Sequence, residues 1–109
     1  MNIDEITEFT YSRNNLWPKI VSKEAIRRGF EANKDKVIEV RINGDLVCVA
    51  FFLRLKDELH FVSVTVKEDV NGLSTILRGL RKKIKETGVH YVSWINPEYR
   101  LKRFKVKGG

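Results

Sequence analysis

Few side chains in this sequence could carry chemistry. Its 109 residues hold two histidines, His60 and His90, and one cysteine, Cys48. Two histidines and a cysteine do not make a metal site of ordinary ligand count, so no metal is expected. Cys48 lies inside an apolar strand pattern and reads as a small core residue rather than a nucleophile. His60 could act as a base, against the plainer reading of a structural histidine in a strand. The carboxylate pairs Asp57-Glu58 and Glu68-Asp69 fall in turns, where solvated side chains are the default. No spacing supports a Ser-His-Asp arrangement, and no P-loop or dinucleotide fingerprint is present.

The elements that must position these groups are clearer than the groups themselves. Ile3, Ile6 and Phe9 follow a helical spacing. A second helix runs SKEAIRRGFEA, with Ser22 as its cap and Ile26 and Phe30 on one face. Gly29 in its interior weakens it by up to ~1 kcal/mol relative to Ala, and is expected to permit close packing. Val37 to Ile42 alternates as a strand, and Asn43-Gly44 is a type I′ hairpin signal. Leu46 to Leu55 is almost continuously apolar, as in a strand buried on both faces. Lys56-Asp57-Glu58 makes a second tight turn into the strand Leu59 to Val66. A helix beginning near Val70 or Asn71 follows, with an apolar stripe of Leu73, Ile76, Leu77, Leu80 and Ile84. Gly79 interrupts this helix, and Gly88 terminates it.

Val89 to Ile95 is a fourth strand, closed by Asn96-Pro97. A strand, helix, strand unit of this length forces the two strands parallel. The remainder, from Glu98, is a short helix, a last strand or a mobile arm. The sequence thus predicts one α/β (α+β) domain over 1–109. A helical part covers 1–36, a β-β-β-α-β core 37–96, and a basic tail 97–109.

Charge is distributed unevenly. The net charge is +7, yet Arg78 onward holds ten Lys/Arg and only Glu86 and Glu98 as acids. An anionic partner or a solvated basic face would both produce this asymmetry. No apolar run approaches the ~20 residues of a membrane span, and the lone cysteine suits a reducing interior. An intracellular, cytoplasmic setting without membrane contact is therefore expected.

The order α, α, β, β, β, α, β, with a meander whose third strand starts a crossover, resembles the GNAT acetyltransferase superfamily over Val37 to Phe104. Val66-x-x-Asp69 is similar to that family's pattern before its cofactor loop. Asn96, Tyr99 and Phe104 are spaced like its Asn…Tyr…Gly-Phe run. The small size is similar to that of phage-encoded members. The resemblance implies a minimal or degenerate acyltransferase using acetyl-CoA. It implies that backbone groups of Val64, Thr65 and Val66 hold the pantetheine arm. It also implies a pyrophosphate loop at Gly72, Leu73 and Ser74, and Tyr99 as the general acid. The family loop is (Gln/Arg)-x-x-Gly-x-(Gly/Ala), and here Asp69, Gly72 and Ser74 occupy those places. Glu68 and Asp69 cap a helix as readily as they flank an anion site.

A second reading keeps the fold and drops the chemistry. Arg78, Arg81, Lys82 and Lys85 on the helix would join Arg100, Lys102 and Arg103 from the tail in a non-enzymatic module. Its partner would be nucleic acid or an acidic protein, with Trp94, Tyr99 and Phe104 able to stack on bases.

Overall fold

The computed structural model describes residues 1–13, 22–67, 73–96 and 98–106. Helices α1 (Ile3–Arg13) and α2 (Lys23–Ala32) precede strands β1 (Val37–Ile42), β2 (Asp45–Leu55) and β3 (Glu58–Val66). Helix α3 (Leu73–Glu86), β4 (Tyr91–Ile95) and β5 (Leu101–Lys105) complete the chain. The sheet order is β1-β2-β3-β4-β5, antiparallel throughout except for the parallel pair β3·β4. The GNAT-like α/β arrangement expected from the sequence is the one found. The sequence counts four strands and leaves the tail open between three states. The tail is a fifth strand, because Leu101 and Phe104 lie against Ile95 and Val92 of β4.

Local signals explain the boundaries. Ser22 accepts from the Ala25 N–H at 3.1 Å and caps α2. Asn43 and Gly44 both have positive φ, as a type I′ turn needs. Gly88 at φ +78 ends α3 in the left-handed region.

Two cores flank the sheet. On one face Ile6, Phe9, Ile26 and Phe30 of α1 and α2 meet Val37, Leu46 and Val49. On the other, Ile76, Leu80 and Ile84 of α3 cover Ile38, Val40, Cys48, Ala50 and Phe61. Cys48 is fully buried, and burial pushes its thiol up to about 11. The glycine expectation is reversed. A Cβ on Gly29 would meet nothing within 4 Å, whereas one on Gly79 would lie 2.6 Å from Val40 Cγ1. Gly79, not Gly29, lets a helix approach the sheet closely. The predicted stripe is also narrower than drawn, because Leu77 is 38% exposed and only Ile76, Leu80 and Ile84 are buried among its described side chains.

Candidate functional site

The site begins where two strands part. Residues Glu58 to Phe61 of β3 pair with Tyr91 to Trp94 of β4. Past Phe61 a bulge inserts Val62, and β3 continues to Val66 paired only with β2. Backbone groups on the β4 side of Val64 to Val66 therefore have no ladder partner among the described residues. After the last parallel pair, Phe61 and Trp94, β3 runs on along β2 to Val66, while β4 ends one residue later at Ile95.

The gap is a cleft of about 1220 Å³. One wall is β3 from Phe61 to Val66, and another is α3 through Leu77, Leu80, Arg81, Ile84 and Lys85. Val92, Trp94 and Phe104 supply the floor, with the Trp94 and Phe104 rings stacked at 5.1 Å and 12°. Arg13, at the end of α1 and thus from the opposite face, also lines it, with its guanidinium 4.2 Å above the Phe9 ring. The lining holds four cations (Arg13, Arg81, Lys85 and Lys105) and no carboxylate among the described residues. Its chemistry suits a ligand with an apolar arm and negative charge.

The residues singled out in the sequence are only partly gathered. Val64, Thr65 and Val66 line the cleft. Leu73 and Ser74 open α3, whose first N–H groups lack intrahelical partners. Gly72, Glu68 and Asp69 lie outside the described residues. Tyr99 sits in the β4–β5 turn at φ +62, is 91% exposed, and is not among the cleft residues. The basic set divides. Arg81 and Lys85 line the cleft, while Arg78 and Lys82 are exposed without reaching it. Arg100 is exposed in the turn, and Lys102 is the register partner of Trp94. Arg103 is on the other face, bonded to Glu58 at 2.6 Å and 3.7 Å above the Tyr91 ring.

One cluster escaped the sequence. His60 Nδ1 lies 2.9 Å from Ser93 Oγ, which donates to Glu58 Oε2 at 2.6 Å. The Ser93 hydroxyl and the Arg103 guanidinium hold the Glu58 carboxyl below the usual carboxylate range. No local signal reveals this group, since its bonded partners are 33 to 45 residues apart.

No protein-family model and no curated protein matches the chain. Solved structures do. A ribosomal-protein-S18-alanine N-acetyltransferase from Escherichia coli superposes with a TM-score of 0.58 at 18% identity, over 86% of this chain and 61% of its own. An N-acetyltransferase from Staphylococcus aureus gives 0.59 at 15% identity, over 86% and 68%. A candidate acetyltransferase from Salmonella typhimurium, solved with its cofactor acetyl-CoA, gives 0.51 at 20% identity, over 84% and 61%. The fold is GNAT-like. The chain spans 61% of the first of these GNAT structures, about three fifths of its length. Among the described residues of this GNAT-like chain, no helix is long and apolar enough to cross a membrane.

Proposed function

We propose that the protein is a GNAT-like acyltransferase that takes acetyl-CoA or a related CoA thioester as donor. The observation that carries this reading is the parting of β3 from β4 in a GNAT-like sheet, which leaves the Val64–Val66 edge facing an apolar cleft. The residues present fit such a donor. Val64, Leu77 and Leu80 offer an apolar wall for a pantetheine arm, and unpaired backbone groups beside it can hydrogen-bond its amides. The N-terminus of α3 at Leu73 and Ser74 suits phosphate, with Gly72 just before it. Arg81 and Lys85 add positive charge two and three turns further along the helix. Tyr99 has no catalytic part in this reading, because its side chain stands outside the cleft lining.

Bound at 100 times its Kd, acetyl-CoA should stabilise the fold by about 2.7 kcal/mol, a Tm rise on the order of 10 °C. Val64→Trp, which fills the cleft from an exposed position, should abolish that rise while leaving the unliganded Tm near wild type. No shift at millimolar acetyl-CoA or CoA would remove the proposal.

The exposed cations Arg78, Lys82 and Lys102 favour a second reading, a non-enzymatic module for an acidic or nucleic-acid partner. Among the described residues none of the three forms an ion pair.

A further inference from the structure

We propose that the outer edge of β5 is a docking site for an extended acidic segment of a partner protein, which joins the five-stranded sheet as a further antiparallel strand. The proposal does not depend on what the cleft binds. Two bonds that flank the strand fix the direction of its main-chain groups. The Asn96 N–H donates to the Arg100 carbonyl at 3.0 Å, and the Val106 N–H donates to the His90 carbonyl at 2.7 Å. Both continue the β4·β5 register, so Arg100 and Val106 turn toward β4. Residues of an antiparallel ladder alternate between bonded and non-bonded pairs, so Lys102 and Phe104 face β4 as well. The N–H and C=O groups of Leu101, Arg103 and Lys105 then point outward, where no strand among the described residues meets them. The other edge strand is guarded. In β1, Val37, Ile38 and Val40 are buried and Arg41 is paired with Glu5 of α1, whereas all five residues of β5 are exposed.

The side chains select the occupant. Leu101 and Phe104 are more than half exposed, as is Ile95 opposite Leu101. Lys102 and Lys105 are exposed and form no ion pair among the described residues, while Arg103 is held by Glu58. Directly opposed side chains of paired strands share a face and interact. A complementary antiparallel strand is therefore acidic opposite Lys105, apolar opposite Phe104, polar opposite Arg103, acidic opposite Lys102 and apolar opposite Leu101. A second copy would bring the same cations to an edge that calls for acids. Phosphodiester groups only accept, so a polynucleotide would leave the outward carbonyls unmet. A peptide strand supplies donors and acceptors in alternation, and added strands draw affinity from those main-chain bonds and specificity from alternate side chains.

Amide hydrogen exchange on the nitrogen-15-labelled chain tests this residue by residue. The peptide to add is capped at both ends, with a core of glutamate-valine-threonine-glutamate-valine. In the free protein the amides of Leu101, Arg103 and Lys105 should exchange faster than those of Lys102 and Phe104. At about ten times its Kd the peptide should slow the three outward amides about tenfold, and by more than the other two. N-methyl groups on the first, third and fifth core residues should abolish the effect, and on the second and fourth should spare it. Lys102→Glu should weaken the peptide by up to about fivefold and favour one with lysine as its fourth core residue. No slowing at millimolar peptide overturns the proposal. So do equal effects of the two methylated peptides, which would mark charge attraction without strand pairing. Slowing of the three amides by raising the protein concentration alone would assign the edge to a second copy. Slowing by a single-stranded oligonucleotide but not by the peptide would assign it to nucleic acid. Either result overturns the proposal.

Discussion

Asp57 ties the β2–β3 turn to the entry of β4 with both its side chain and its main chain. Its Oδ1 accepts from the His90 N–H at 3.0 Å, its Oδ2 lies 2.7 Å from His90 Nδ1, and its carbonyl accepts from the N–H groups of His90 and Tyr91. Bonding to the His90 side chain, ahead of the other causes, holds the Asp57 carboxyl below its ordinary value. A carboxyl with a depressed native pKa stabilises the fold above its unfolded value, and loses that contribution as pH falls through the native one. Urea midpoints should therefore drop as the pH is lowered below about 4, the ordinary range of an aspartate, and Asp57→Asn should flatten that limb. Cys48 invites a second measurement at this scale. Its thiol, buried and raised to about 11, should resist iodoacetamide in the native state at neutral pH and react once the chain is unfolded in urea. Cys48 was readable as core because its neighbours in VCVAFF are apolar. The hydrogen-bonded cluster of His60, Ser93 and Glu58 was not readable, because only the parallel register brings its members together.

Among the elements, α3 shows best how a sequence states a contact without naming its partner. The stripe Ile76, Leu80 and Ile84 announces a buried face, and that face is buried. Gly79 beside it looks like a defect until Val40 is brought 2.6 Å from the space its side chain would take. Gly79→Ala gains up to about 1 kcal/mol of helix propensity but overpacks a stiff β-branched neighbour, and should destabilise by about 1–3 kcal/mol net. Gly29→Ala meets open space and should stabilise by up to about 1 kcal/mol. Parallel urea titrations of the two variants would check the opposite signs. The meander was legible because Asn43-Gly44 and the alternation of VIEVRI are local signals. The last strand was not, since LKRFK has only two apolar residues and owes its state to pairing with β4.

At the scale of the whole molecule, positive charge follows the second half of the chain, and the fold spreads it over both faces of the sheet. Arg81 and Lys85 point into the cleft, whereas Arg103 is spent on Glu58 at the opposite face. A single continuous basic surface, as the tail and helix suggested in sequence, is therefore not assembled from all seven residues. If polyanions bind at all, the salt slope should correspond to few phosphates, with log K falling by about 0.9 per log unit of salt for each phosphate neutralised on duplex DNA. A filter-binding series between low and physiological salt measures that slope, and a slope matching seven or more contacts would contradict the divided arrangement.

Strand β5 has a consequence for colloidal behaviour. It is the last strand of the sheet, all five of its residues are exposed, and among the described residues nothing pairs with its outer edge. Bare edges of this kind template fibrils and sheet-to-sheet adhesion, and lysine or arginine along the edge suppresses it. Lys102 and Lys105 stand beside Leu101 and Phe104 on that strand, so the cations act as gatekeepers that keep like molecules apart. Neutralising Lys102 and Lys105 together should leave the fold intact and still make the protein cloud at concentrations the wild type tolerates.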